Sequence, residues 1–157
     1  MKEVFKFIID ARKAFIKDIE SLSLEQVNEI PAGFNNNIIW NFGHIVVTTP
    51  VLCYIRTGIL ADASSVKYVS AYAKGTKPTY FVTQEEVDEL KELAISTIET
   101  LEKDYNEGKL NNIVPFETST YGALLESIED VIITTAGHDN THLGYVTAQK
   151  RIINNNK

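Results

Sequence analysis

The chain has 157 residues, of which 44% are hydrophobic and 23% are charged, and its formal net charge at pH 7 is -6. This length predicts a single domain whose core needs no disulfide support. The acidic balance argues against affinity for nucleic acid or for an anionic membrane, because both depend on clustered positive charge. No apolar run approaches the roughly 20 residues of a membrane span, and the N-terminus does not resemble a secretory signal, so we expect a cytoplasmic protein.

The chain contains one cysteine, Cys53, which cannot form an internal disulfide. A lone cysteine fits a reducing compartment and leaves zinc-finger and dithiol redox motifs without the residues they need. A metal bound by this chain would therefore be held by nitrogen and oxygen atoms.

Apolar residues at helical spacing predict a first helix over residues 2–21, and Arg12 is the one break in its apolar stripe. Ser23 and Gln26 follow with the pattern of a capping box, which predicts a short extra turn.

A second helix is expected from about residue 37 to Thr57, because the asparagines before it are good N-caps and Gly58 follows it. Pro50 lies inside this helix and removes one backbone hydrogen bond, which predicts a kink near Val46.

Residues 59–82 have no sustained period and are long for a turn, which indicates a crossover connection. A capping box at Thr83 and Glu86 then predicts a third helix, closed by Gly108.

The last helix is expected to begin near the sequence ETSTYGA, residues 117–123. Four helices with one long crossover between the second and third predict an all-α four-helix bundle in the order up-down-down-up. No alternation typical of strands is present. The inward stripe expected for the last helix consists of Leu124, Ile128, Val131, Thr135, His138, His142, Tyr145 and Gln149.

The three histidines of the chain fall on two of these helices. His138 and His142 are four residues apart, so they share one face of the last helix, and that face is the inward one. Helical spacing also places His44 on the inward stripe of the second helix, together with Asn41 and Thr48. All three histidines are therefore expected to face the interior.

Helix geometry predicts that these histidines lie at similar heights. His44 lies about 10 Å past the start of the second helix, and His142 lies about 16 Å before the end of the antiparallel last helix. Three neutral imidazoles that meet suit zinc, nickel or iron(II) and leave a coordination position open, which is typical of catalytic sites. The alternative is ordinary packing, in which each core-facing histidine is hydrogen-bonded to a neighbour.

Zinc proteases also carry two histidines four residues apart, but they need a glutamate directly after the first. This chain has Asp139 there, and no His, Asp or Glu follows His142. The zinc-protease class is therefore excluded.

The motifs WNFGH (Trp40 to His44), YAKGTKP in the middle loop and HDNTHLG (His138 to Gly144) resemble those of the DinB-like (DinB/YfiT-like) superfamily. The resemblance covers nearly the whole chain in order and spacing. It implies an up-down-down-up bundle, a homodimer, and a metal held by His44, His138 and His142. Many similar proteins have Gly-Gln after the last histidine, where this chain has Gly144-Tyr145, so a tyrosine stands here in place of the glutamine.

Several residues near the histidines have two interpretations. Asn41 and Thr48 could orient an imidazole or hydrogen-bond a metal-bound water, or could serve helix packing alone. Tyr145 lies on the same face as His142 and is a further pocket candidate. The aromatic residues expected at the histidine end, as pocket wall or as loop anchors, are Tyr72, Tyr80 and Phe81.

Three more residues are expected to lie outside the metal site. Asp139 points about 100° away from His138, so it is interpreted as a surface charge. Trp40 is interpreted as a core residue, and Cys53 falls on the opposite face from His44.

Proteins similar to the family include metal-dependent thiol transferases that use bacillithiol, mycothiol or related thiols, and members with no assigned reaction. The leading hypothesis is a metal-dependent enzyme, a transferase or hydrolase, that activates a low-molecular-weight thiol or a water and acts on a small-molecule substrate. The alternatives are a non-catalytic metal-binding or stress-response bundle and a purely structural interaction bundle without metal. No catalytic acid or base can be assigned from the sequence.

Overall fold

The computed structural model describes residues 1–120 and 122–155. A π-helical segment, Val51–Ile55, continues the helix predicted as the second one, and a short hairpin precedes the last helix. Because helices dominate the described residues, the predicted all-α class is confirmed. In chain order the elements are α1 (Lys2–Glu20), α2 (Leu24–Asn28), α3 (Ile38–Pro50), α4 (Val69–Tyr72), α5 (Gln84–Asn106), β1 (Phe116–Glu117), β2 (Leu124–Leu125) and α6 (Ile128–Asn155).

Local capping interactions set the starts of α2 and α5. The Ser23 hydroxyl accepts a hydrogen bond from the Gln26 amide nitrogen at 3.3 Å, and the Gln26 side chain accepts one from the Ser23 amide nitrogen at 3.0 Å. This confirms the predicted capping box. The Thr83 hydroxyl accepts from the Glu86 amide nitrogen at 3.3 Å, which is one half of the capping box predicted for α5. The Glu86 carboxylate accepts from the Tyr80 hydroxyl at 2.8 Å.

Helix α3, predicted as the second helix, begins where the asparagines predict. The Asn37 side chain accepts a hydrogen bond from the Trp40 amide nitrogen at 2.8 Å. The irregularity caused by Pro50 lies after this residue rather than near Val46. Beyond Pro50 the chain changes to π-helical bonding, in which the Arg56 amide nitrogen donates to the Val51 carbonyl at 2.9 Å. The missing N–H of proline is thus accommodated by a change in hydrogen-bond register.

The predicted start of the last helix at residues 117–123 is wrong. α6 begins at Ile128, because Ser127 and Asp130 form a reciprocal cap with N–O distances of 3.1 Å and 3.0 Å. The preceding residues pair as the β1–β2 hairpin instead, with Phe116 opposite Leu125. Leu124, which was expected on the inward stripe, lies in β2 and is 54% exposed. Tyr121, within the expected start, lies outside the described residues.

Within the described part of the chain, the four long helices α1, α3, α5 and α6 pack around shared apolar side chains. α1 contacts α5 and α6, and α3 contacts the same two helices. The inward faces of α3 and α6 therefore lie against each other, which brings the histidines of both helices into one region.

One helical stretch among the described residues, Ile38–Ile55, is long and apolar enough to cross a membrane by length and composition. Its mean hydropathy is 1.5 over 18 residues, and 67% of the stretch is buried inside the protein. This burial is what a central helix of a helical core requires.

Candidate metal centre

The three histidines form one cluster between α3 and α6. The ring centroid of His44 lies 5.1 Å from that of His138 and 4.8 Å from that of His142, and the latter two are 4.6 Å apart. One ligand atom from each ring lies within 4.8 Å of the other two. The imidazoles therefore meet, as the helix heights predict.

Two of the three rings are oriented through Nδ1. His44 Nδ1 donates to the backbone carbonyl of Tyr72 at 2.7 Å, and His142 Nδ1 donates to the Asn41 side-chain oxygen at 2.8 Å. The Asn41 amide is itself fixed, because its nitrogen donates to the Asn37 carbonyl at 2.9 Å. With Nδ1 protonated in both rings, Nε2 carries the free electron pair that a metal needs.

The third ring faces an acidic neighbour. His138 Nδ1 and Asp139 Oδ1 are both buried, and neither has a hydrogen-bond partner among the described residues. The two atoms are 4.0 Å apart, about 1 Å beyond hydrogen-bonding distance. The interpretation of Asp139 as a surface charge is wrong, since this residue is 2% exposed.

A buried arginine holds the Asp139 carboxylate. The Arg12 Nε atom donates to Asp139 Oδ2 at 2.8 Å, and both side chains are almost fully enclosed. The two terminal nitrogens of Arg12 are used as well, on the Ala94 carbonyl at 2.8 Å and on the Thr49 hydroxyl at 2.6 Å. Burial raises the pKa of Asp139, and the Arg12 charge opposes that shift.

The environment keeps the histidines neutral. Burial, followed by the charges of the neighbouring imidazoles, lowers the pKa of His142 to about 3. Burial is also the largest cause for His138, whose pKa is lowered to about 4, and for His44, whose pKa is lowered. At pH 7 all three imidazoles are therefore unprotonated at one nitrogen, as metal ligands must be.

The donor set fits a divalent transition metal. Nitrogens around a tetrahedral zinc ion lie at about 2.0–2.1 Å from it, and hence roughly 3.4 Å from each other. The cluster, in which these atoms lie within 4.8 Å of one another, needs to contract by up to about 1.4 Å to reach that geometry. Imidazole nitrogens suit zinc, nickel and iron, and three protein ligands leave a position open.

A pocket of about 360 Å³ opens onto the cluster and is lined by all three histidines. Of the candidate residues, Thr48 and Tyr145 line it, and the Thr48 hydroxyl lies 3.4 Å from His44 Nε2. Asn41 is not part of the lining, and its side-chain oxygen accepts the hydrogen bond from His142 Nδ1. Tyr80 is not part of the lining, and its hydroxyl donates to Glu86 at 2.8 Å.

Comparison with known protein families identifies the family of this chain. A model of the DinB superfamily matches residues 8–146, which is most of the chain and includes all three histidines. The chain belongs to the DinB superfamily. No curated protein matches it.

In this DinB superfamily member, sequence reasoning missed several residues that shape the site. The Trp40 ring stacks on His44 at a centroid distance of 4.8 Å and an angle of 9°. A Cβ on Gly43 would come within 2.6 Å of the Tyr72 ring, so this glycine admits the segment whose carbonyl holds His44. Arg12 had a signal in the sequence, since a charge inside an apolar stripe indicates a buried charge, although it does not indicate the partner.

Cys53 lies in the core away from the histidines. Its thiol is fully buried beside the Thr135 hydroxyl at 3.9 Å, and burial raises its pKa to about 12. A thiol with this pKa is not a nucleophile near neutral pH.

Proposed function

We propose that this DinB superfamily protein is a metal-dependent enzyme of the thiol S-transferase or hydrolase type. His44, His138 and His142 would hold a zinc, nickel or iron ion. The observation that carries the proposal is the meeting of three neutral imidazoles at a pocket wide enough for a small molecule. A divalent metal in this position would lower the pKa of a thiol or a water at its open coordination site.

The residues of the chain supply orientation and enclosure. The Tyr72 carbonyl and the Asn41 amide hold two rings with Nε2 unprotonated, so these rings need no change of tautomer on binding. The Thr48 hydroxyl is 3.4 Å from His44 Nε2 and can hydrogen-bond a group that enters the pocket beside this ring. Val47 and Val51 make the wall next to it apolar, which suits an apolar part of a substrate.

We also infer that the long helices follow the order up-down-down-up. Lys150 pairs with Asp18 at 2.6 Å, which supports parallel α1 and α6. Lys91, near the start of α5, pairs with Glu20 at the end of α1, which supports an antiparallel arrangement of these two helices. Contacts of Cys53 with Thr135 and of Asn41 with Gln149 support antiparallel α3 and α6.

The first test is the metal content of the untagged protein and of His138→Gln. We expect close to one ion per chain in the wild type and its loss in the variant, because two imidazoles alone hold such metals weakly. Arg151→Gln, an exposed change on the same helix, serves as the control. Absence of metal from the wild type, even after reconstitution with zinc, nickel and iron, would contradict the proposal.

The second test separates an enzyme from a bundle that only stores or senses metal. We expect a cobalt-substituted protein to change its near-ultraviolet absorption when a low-molecular-weight thiol is added, because the open position accepts the sulfur. If the metal is bound but neither a thiol nor added azide changes the spectrum, the coordination sphere is closed and the non-catalytic alternative is favoured.

A further inference from the structure

The pocket at the histidines continues along one face of α3 and the π-helical segment. Val47, Val51 and Leu52 line it beyond His44, and Arg56 follows at the same helical spacing. Arg56 lies twelve residues past His44, which is roughly three turns along α3 and its π-helical continuation. The pocket is thus an elongated space with the histidine cluster at one end and a guanidinium at the other.

Part of the lining is apolar. Phe116, from β1, lines the pocket together with Val47, Val51 and Leu52, and the Arg56 guanidinium lies over the Phe116 ring at 4.8 Å from its centroid. This stacking holds the planar group in place without using its hydrogen-bond donors. One terminal nitrogen donates to the Glu117 carbonyl at 3.4 Å, a long contact. Arg56 is exposed, so most of its donor capacity is available to a ligand.

The charges of the pocket favour an anion. Its charged lining residues are Arg56, Lys74 and Glu117, which sum to one positive charge before any metal is added. The histidine ligands contribute no compensating carboxylate, and the buried Asp139 is already paired with Arg12. Lys74 lies near the histidine end, two residues after Tyr72, whose carbonyl accepts the hydrogen bond from His44 Nδ1.

From this lining we propose that the pocket binds an amphipathic small molecule, with its reacting group at the histidines, an apolar stem along Val47 and Val51, and a terminal carboxylate or similar anion at Arg56. The proposal rests on the metal-dependent function proposed above and specifies its substrate class. The volume of about 360 Å³ lies at the small end of the range for ligand pockets. It therefore fits a chain of several carbons better than a bulky polycyclic molecule.

Matched thiols test this assignment on the zinc-loaded full-length protein. The probes are ω-mercaptooctanoate, ω-mercaptooctanol and mercaptopropionate, with affinities measured by calorimetry. We expect the wild type to bind ω-mercaptooctanoate about tenfold more tightly than the neutral alcohol of equal length, because the guanidinium pairs with the carboxylate. Arg56→Gln should remove this preference, so that the acid and the alcohol bind with similar affinity. Mercaptopropionate, whose carboxylate cannot reach Arg56, should be insensitive to this change.

Three further variants distinguish the two ends of the pocket. Lys74→Gln should weaken both octyl thiols by a similar factor, since Lys74 lies at the end where the sulfur binds. Glu117→Gln should strengthen binding of ω-mercaptooctanoate alone, because it removes a like charge from the Arg56 end. Arg151→Gln, exposed on α6 and outside the pocket lining, should change neither affinity.

The outcomes separate the two proposals. Equal affinity of the wild type for the acid and the alcohol, or a preference that survives in Arg56→Gln, would overturn the assignment of the anionic end and leave the metal-dependent function intact. Failure of the metal-loaded protein to bind any of the three thiols would overturn both the thiol-activating function and the substrate class inferred from it.

Discussion

Each imidazole of the cluster faces a different kind of oxygen through Nδ1. His44 has a backbone carbonyl, His142 has a side-chain amide, and His138 has the carboxylate of its own sequence neighbour, Asp139, at 4.0 Å. The carboxylate is the one charged acceptor of the three, and it is the one that does not yet make its hydrogen bond. A small rotation of His138 on metal binding would complete this contact and direct Nε2 at the ion.

Replacing Asp139 by asparagine should therefore weaken metal binding. An asparagine keeps the shape and can still accept from Arg12, but its amide nitrogen cannot accept from His138 Nδ1. We expect zinc affinity to fall by about 10- to 100-fold, measured by competition with a chromophoric chelator. Asp10→Asn, an exposed carboxylate of α1, is the control. An unchanged affinity in a variant that melts cooperatively would show that Asp139 serves Arg12 alone.

Nitrogen NMR of the histidine rings provides an independent readout of the same contact. In the zinc-loaded wild type we expect His138 to be protonated at Nδ1, and Asp139→Asn should broaden or redistribute this signal while the signals of His44 and His142 stay in place.

At the scale of elements, α3 carries most of the site. Its N-terminal half places Trp40, Asn41 and His44 on neighbouring positions, and its π-helical continuation turns Val51 and Leu52 towards the pocket. The segment around α4 packs directly on this helix, because Gly43 has no side chain to keep the Tyr72 ring away. The position of the Tyr72 carbonyl, and with it the orientation of His44, depends on that close approach.

Gly43→Ala should push α4 away from α3. The added Cβ would lie 2.6 Å from the Tyr72 ring, so the ring or the backbone must move. We expect a loss of about 1–3 kcal/mol in the free energy of unfolding, measured with urea, and weaker metal binding because the His44 acceptor shifts. Gly144→Ala is the matched control in α6, since nothing lies within 4 Å of its added Cβ. The control should be neutral or stabilising by up to about 1 kcal/mol. Equal effects of the two changes would contradict this account.

At the scale of the whole molecule, Arg12 ties the helices together. Its guanidinium contacts Asp139 of α6, Ala94 of α5 and Thr49 of α3, while its own backbone belongs to α1. The residue is fully buried. A buried pair of this kind contributes little net stability but costs several kcal/mol to break, so it acts mainly to set the relative positions of the helices and of the histidines they carry.

The histidine cluster makes the stability of the metal-free protein depend on pH. The folded-state pKa values of His138 and His142 are about 4 and about 3, below the ordinary value of 6.5. Below pH 6.5 the unfolded chain therefore binds more protons than the folded one, and stability falls as the pH decreases towards the folded-state values. We expect a loss of at least about 2 kcal/mol between pH 7 and pH 5 in the presence of a chelator.

Urea unfolding at both pH values measures this loss, and the variant with all three histidines changed to glutamine is the control. The control should lose less stability over the same interval, because glutamine does not titrate. A loss of the same size in the control would mean that other groups cause the acid sensitivity. Saturating zinc should raise stability at pH 7 more than at pH 5, since the ligands must be unprotonated.

The sequence by itself determined the helical class, most helix ends and the inward position of the three histidines, because helical periodicity and capping act over a few residues. The tertiary structure decided what each histidine meets. Arg12 and Asp139 are 127 positions apart, and no local pattern reports that a charge in one helix has its partner in another. The same holds for the Tyr72 carbonyl and the Phe116 wall of the pocket, which lie in the short elements α4 and β1, whose positions depend on packing. Side chains from separate elements meet only once the fold has formed, so their chemistry follows from the three-dimensional arrangement.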